Sequence, residues 1–348
     1  MALGDKAMAY SDYEETLKHY DGAIDPTKPD MLALYRRGAA QYALGQTDRA
    51  LSDYEQAIRL NPEYFLAYYG RGFLLANRKS AYERAIGDFN KVLDLVPNSV
   101  YALLRRADAY SQIGDLGRSL ADLNRAIELA PNNTRAYILR GNVNSQLNQL
   151  ELAMVDYGVA LKLDPSNVNA LVYRAALYAS AGKVDLAIRD LDAAIAIKGN
   201  DASAFYNRGY VHFVKREYQL AIADYSAAIG LDPNMALAYF NRCLTRTITG
   251  QDLVEALSDC DVALKSMPHN LDIRDTRGFI YLKRGDPATA VVEYNAALAV
   301  DPNRPFTLYG RGIAQIRNGH KDEGEADKTA ALALKASVAS QFAAYGLD

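Results

Sequence analysis

The chain has 348 residues, 50% of them hydrophobic, and a formal net charge of −3. That balance leaves no basic surplus for nucleic acid, and lysine and arginine are scattered rather than gathered into a stripe. Nothing approaches the roughly 18-residue apolar run of a membrane span, and the start, MALGDKAMAYSDYEE, lacks a signal-peptide layout.

Residues 1–30 hold a truncated helical unit in which only Tyr20 and Ala23 match the later units. The first complete unit reads LALYRRGAAQYALG (32–45), closed by Gly45, then DRALSDYEQAIRL (48–60), stopped before Asn61-Pro62. Glycine past a helix end takes the left-handed conformation that closes it. Proline lacks an N–H and clashes with the preceding turn. Gly114, Gly182, Gly250, Gly285 and Gly319 repeat the first signal, with Asn148 as substitute. Pro97, Pro131, Pro165, Pro233, Pro268 and Pro302 repeat the second, 34 or 35 residues apart, with Gly199 filling the one gap. No segment alternates with the period of a strand. A fixed period near 34 predicts an all-α solenoid of stacked helix-turn-helix repeats. The expected organisation is one array over 1–348. Nine repeats fill 31–336, and 337–348 is a C-terminal capping helix with Phe342 and Tyr345 turned inward.

Small residues recur in the second helix as Ala50, Ala85, Ala153, Ala187, Ala221, Ala256 and Ala290, and seven residues on as Ala57, Ala126, Ala160, Ala194, Ala228, Ala263 and Ala297. Between them stands a large residue such as Tyr54, Phe89, Tyr157, Tyr225 or Tyr294. First helices carry Gly38, Gly72, Ala107, Gly141, Ala175, Gly209, Gly278 and Gly312 where the partner helix approaches. This small, aromatic, small, proline pattern over 34 residues resembles the tetratricopeptide repeat (TPR) family and covers almost the whole chain. The resemblance implies a right-handed superhelix with first helices lining a concave groove. Two repeats, those of Arg71 and Arg242, carry an extra residue near the inter-helix turn. The last places Gly324 and Lys328 at core positions, as suits an end repeat with one wet face.

The family usually has leucine just before the small first-helix residue. Here every repeat has arginine: Arg37, Arg71, Arg106, Arg140, Arg174, Arg208, Arg242, Arg277 and Arg311. Sixteen or seventeen residues later stands a carboxylate: Asp53, Asp88, Asp122, Asp156, Asp190, Asp224, Asp259, Glu293 and Asp327. In the truncated first repeat Leu3 and His19 replace both members. The matched columns predict structural ion pairs between the two helices of each hairpin, since the planar guanidinium holds a carboxylate with two hydrogen bonds.

No catalytic constellation stands out. The GRG phrases at 70–72 and 310–312 lack the third glycine and the strand of a nucleotide fingerprint. His19, His212, His269 and His320 lack the i,i+4 spacing of a metal pair. Cys243 and Cys260 occupy a small and a large core place of one repeat, which predicts a volume exchange between reduced thiols. Mapping one family groove position gives Tyr35, Tyr69, Leu104, Ile138, Val172, Tyr206, Phe240, Asp275 and Tyr309, with Asp108, Asn142, Ser145 and Asn169 as polar candidates. The lysine–asparagine clamp and the asparagine ladder of two family subsets are absent.

The expected function is a non-enzymatic cytoplasmic scaffold. It binds a peptide or protein segment in its groove, without cofactor, metal, nucleic acid or membrane insertion. The alternative is the substrate-recruiting region of a larger multidomain enzyme whose catalytic domain is absent from this chain, because Met1 falls inside what should be a first helix. The half-formed first repeat predicts an apolar N-terminal end through which a homodimer forms.

Overall fold

A computed structural model describes residues 3–25 and 27–347; the side chains of residues 3–11 and 79 fall outside that description, Leu3 at the expected arginine place among them. All regular structure among the described residues is helical. The chain divides into two compact units, Met1–Pro165 and Ser166–Asp348. The first holds α1 (Leu3–Ala23) and the hairpins α2 (Met31–Ala43) with α3 (Thr47–Leu60), α4 (Phe65–Leu75) with α5 (Tyr82–Leu95), α6 (Val100–Gln112) with α7 (Leu116–Leu129), and α8 (Thr134–Gln146) with α9 (Leu150–Leu163). The second holds α10 (Val168–Ser180) with α11 (Val184–Ile197), α12 (Ala202–Val214) with α13 (Tyr218–Leu231), α14 (Ala236–Thr249) with α15 (Leu253–Ser266), α16 (Leu271–Lys283) with α17 (Pro287–Leu298), α18 (Pro305–Arg317) with α19 (Lys321–Leu334), and α20 (Val338–Ala344).

Local chemistry sets these boundaries. Asp30, Ser99, Asn133, Asn167, Asp201 and Asn270 precede first helices, and each side chain accepts a backbone N–H three residues on. Each such cap contributes about 1 kcal/mol. Gly45 turns the first hairpin with φ 78°, and Asn148 and Arg216 adopt the same left-handed conformation without being glycine. The two longer turns absorb their extra residue differently: a short 3-10 turn at Lys79–Ala81, and left-handed bends at Gly250 and Asp252. Residues 3–23 form one helix rather than part of a hairpin. Ser11 stands one period before Gly45, so no glycine interrupts the helix there.

The alanine columns of the second helices are fully buried. Tyr54 lies between Gly38 and Gly70, where an added Cβ would come within 2.9 and 2.8 Å of its ring; Tyr294 lies likewise between Gly278 and Gly310, at 2.7 and 2.6 Å. The GRG phrases follow from this packing. Their first glycine receives the ring of the preceding hairpin, and their second faces the second helix of its own hairpin. Gly324, expected at a wet end, is buried where α19 approaches α18, and a Cβ there would lie 2.5 Å from the Gly312 carbonyl. Among the aromatic contacts of α20, Phe342 is fully buried against Phe279, Phe306 and Tyr309.

The expectation of reduced thiols is corrected: Cys243 and Cys260 are joined as a disulfide linking α14 to α15. The two places face each other across the hairpin, as Gly278 and Tyr294 do in the next one, so two short sulfur side chains there meet. Their Cα atoms are 5.6 Å apart, within the span a disulfide bridges. With its two cysteines 17 positions apart in sequence, the cross-link is expected to contribute about 3 kcal/mol through the unfolded chain. Thermal melting with and without dithiothreitol checks this. Reductant should lower the transition of the wild type and leave that of a Cys243→Ala/Cys260→Ala variant unmoved.

Candidate functional site: the first-helix face

The repeated arginines lie against the repeated carboxylates. Arg37 donates from Nε and Nη2 to the two oxygens of Asp53, both at 2.7 Å. The same two-pronged geometry holds for Arg71–Asp88, Arg106–Asp122, Arg140–Asp156, Arg174–Asp190, Arg208–Asp224, Arg242–Asp259 and Arg311–Asp327. Arg277 instead places both donors on one oxygen of Glu293, whose other oxygen is buried 3.6 Å from Arg274 Nη1. The arginine side chains are 15–26% exposed and the carboxylates 3–13%. Carboxylate hydrogen bonds, opposed by burial, raise the pKa of Arg37, Arg71, Arg106, Arg174 and Arg208.

A second set of contacts ties hairpin to hairpin. The remaining edge of the guanidinium, Nη1, donates to an acceptor sixteen residues upstream: Arg37 to Asp21, Arg106 to Asn90, Arg140 to Asn124, Arg208 to Asp192, Arg242 to Ser226 and Arg311 to Asn295. Arg277 pairs with Asp261 in the same way. One turn after the arginine, Asn144 and Arg246 add a third donor to Asp156 and Asp259. These guanidiniums therefore have their donors engaged by the protein itself. The acceptors stand two residues beyond the carboxylate place of the preceding repeat, a regular polar column that the sequence carries but that comparison of single hairpins does not single out.

The mapped groove positions divide by burial. Tyr35, Tyr69, Tyr206 and Phe240 are half-buried. Tyr35 packs on Tyr54 and Tyr64, Tyr69 on Phe89, and Tyr206 on Tyr225. Leu104, Ile138, Val172, Asp275 and Tyr309 are buried, Tyr309 against Phe342. Asn142 accepts a 2.6 Å hydrogen bond from the Tyr157 hydroxyl, Asn169 is exposed, and Asp108 and Ser145 are half-buried.

The second unit gathers an apolar hollow on this face. Phe213, Phe240, Leu244, Ile248, Phe279 and Phe306, from α12, α14, α16 and α18, line an open hollow of about 380 Å³, with Tyr345 and Gln341 also on its wall. Its polar edge is Asp272, Asp275, Thr276, Arg304 and Lys335. Arg304 bridges Asp272 and Asp275, and the Thr307 hydroxyl donates to Asp275 at 2.7 Å. Burial pushes the Asp275 carboxyl above its ordinary pKa, against those hydrogen bonds. Asp275 is thus committed to the wall, whereas Asp272, 67% exposed, remains reachable. Another hollow, about 590 Å³ between α1 and α2, is lined by Asp12, Glu15, Thr16, His19 and Arg36 with only tyrosines and alanines as apolar surface. Among the described residues no cluster of three His, Cys, Asp or Glu side chains is placed to hold a metal ion, and no helix is long and apolar enough to cross a membrane.

The chain is similar to known proteins in sequence and in fold. The tetratricopeptide repeat profile matches residues 32–64 and 202–235, and a second profile of that description matches 104–168. The chain is 33% identical over 103 residues to small glutamine-rich tetratricopeptide repeat-containing protein 2 of Saccharomyces cerevisiae, covering 30% of each protein. It is 31% identical over 98 residues to DnaJ homolog subfamily C member 3 of Homo sapiens, covering 28% of this chain and 19% of that one. It thus spans under a third of the length of these relatives. In fold it is similar to a chain of the APC/C hetero-tetramer Cut9–Hcn1, with TM-score 0.63, 16% identity, and 81% of this chain and 55% of that one covered. It is also similar to IFIT1 with Gppp-AAAA, with TM-score 0.59, 16% identity, and coverage of 93% and 87%.

Proposed function

Because the chain belongs to the tetratricopeptide repeat family, whose arrays are protein-interaction scaffolds, we propose that its second unit docks an apolar segment of a protein partner in the cavity of α12, α14, α16 and α18. The observation that carries this reading is the wall of Phe213, Phe240, Leu244, Ile248, Phe279 and Phe306 around about 380 Å³. A preformed apolar hollow with a few fixed polar groups takes up a large side chain without reorganising. Asp272 and Lys335 at its edge are placed to bond the backbone of the entering segment.

The test places a photo-crosslinking residue at position 244 and compares wild type with Phe240→Ser and Phe213→Ser, all checked for an unchanged thermal transition. The expected result is a protein adduct at position 244 that is lost in both serine variants. A partner retained equally by all three proteins overturns the reading.

A further inference from the structure

In the second unit, α13 presents to solvent a face that carries no charge. Leu220 and Leu231 are 52% and 42% exposed, with exposed Ala223 and half-buried Ala227 between them. These four residues share one side of the helix. The one charged side chain of α13, Asp224, is buried in its pair with Arg208. The two leucine places on α11 are Leu186 and Ile197, 41% and 48% exposed, so the apolar surface continues there. On α15 they are Glu255 and Ser266, where it ends. The outward faces of α5 and α7 carry exposed Arg84, Asp94, Arg118 and Arg125 instead. A helix at the surface of a globular protein turns polar residues outward, and a contiguous apolar face in their place marks an interaction surface.

We propose that this face pairs with the same face of a second copy of the chain, the two α13 helices lying antiparallel across a two-fold axis. A two-fold interface needs a surface complementary to itself. Leucine, alanine, alanine, leucine reads alike in both directions along α13, so the antiparallel arrangement sets Leu220 of each protomer against the partner's Leu231. Ala223 and Ala227 in the middle let the two backbones approach closely. The helix ends match in charge as well. Arg216 precedes α13, and its side chain has no hydrogen bond or ion pair among the described residues. Its neighbours Lys215 and Glu217 already bond each other, which leaves Arg216 as the free cation. Asp232 follows α13 at the other end. Antiparallel pairing brings the cationic end of one helix to the acidic end of its partner, whereas parallel pairing sets like on like. The pairing stands apart from the reading of the Phe-lined hollow, and gives an assembly with two such hollows.

Sedimentation velocity of the full chain over a rising concentration series reads the association. The wild type should pass from monomer to dimer. Leu220→Glu and Leu231→Lys should each weaken dimerisation at least about hundredfold. An equimolar mixture of the two variants should recover the dimer to within about tenfold of the wild type, because glutamate then meets lysine at one contact and leucine meets leucine at the other. Added salt should weaken the mixed dimer more than the wild-type one. Phe240→Ser should leave the dimer unchanged, so failure of the hollow reading and failure of this one are separable. Each variant is checked by its thermal transition. Ala223→Arg, which blocks the close approach at the centre, serves if either single variant fails to fold, and it should be monomeric. A wild type that stays monomeric throughout, alone or while holding some other protein, overturns the proposal. So does a dimer that persists in the variants, as pairing through the N-terminal end would give, or a mixture that stays monomeric.

Discussion

Tyr294→Ala should lower the stability of the second unit by about 3–5 kcal/mol, the range for removing a fully buried aromatic ring. The side chain is 0% exposed, and its ring fills the space between Gly278 and Gly310. Those glycines have no side chains with which to refill the hole. Tyr294→Phe separates volume from polarity. The hydroxyl is buried without a hydrogen-bond partner among the described residues, so its removal should leave stability unchanged or raise it by about 1 kcal/mol. Urea unfolding followed by circular dichroism measures both. A Phe variant as damaged as the Ala variant would mean that the hydroxyl, not the ring, holds the site.

Asp156→Leu should cost about 3 kcal/mol, near the lower end of the range for breaking a buried pair, because the Arg140 side chain keeps 26% of its surface in water. The carboxylate receives Arg140 Nε and Nη2 and Asn144 Nδ2. Leucine leaves all three donors without it. The charged pair need not make the fold more stable than a leucine pair would, since desolvation offsets attraction. We propose that what it adds is registry: a hairpin slipped by one residue would strand a charge on each helix. Urea unfolding of the variant reads the loss. A change under about 0.5 kcal/mol would place the pair with surface ion pairs of little consequence.

The hairpins were legible because their signals are local. Gly45 and Pro62 punctuate helices wherever they stand, and Arg37 and Asp53 are a hairpin apart in sequence as well as in space. The contacts of Arg106 with Asn90 and Arg140 with Asn124 were equally regular, but they join different repeats and surface only when columns are compared across hairpins. The first-helix face was harder to read. One mapped column keeps the same phase on every first helix, yet it passes from half-buried Tyr69 to Leu104 at 4% exposure as the packing around it changes. Phe213 and Phe279 line the cavity from other columns, and Tyr345 comes from the segment just after α20. The Cys243–Cys260 bond was hidden for a different reason: residue type places two sulfurs in one hairpin without saying whether they are oxidised.

Each arginine and its carboxylate should act as one unit. A double-mutant cycle on Arg140→Leu and Asp156→Leu, with urea unfolding as readout, measures this directly. The double variant should be more stable than the sum of the single losses implies, by about 1–3 kcal/mol. Losses that add to within about 0.5 kcal/mol would show two independent side chains and contradict the crosswise pairing of the hairpins.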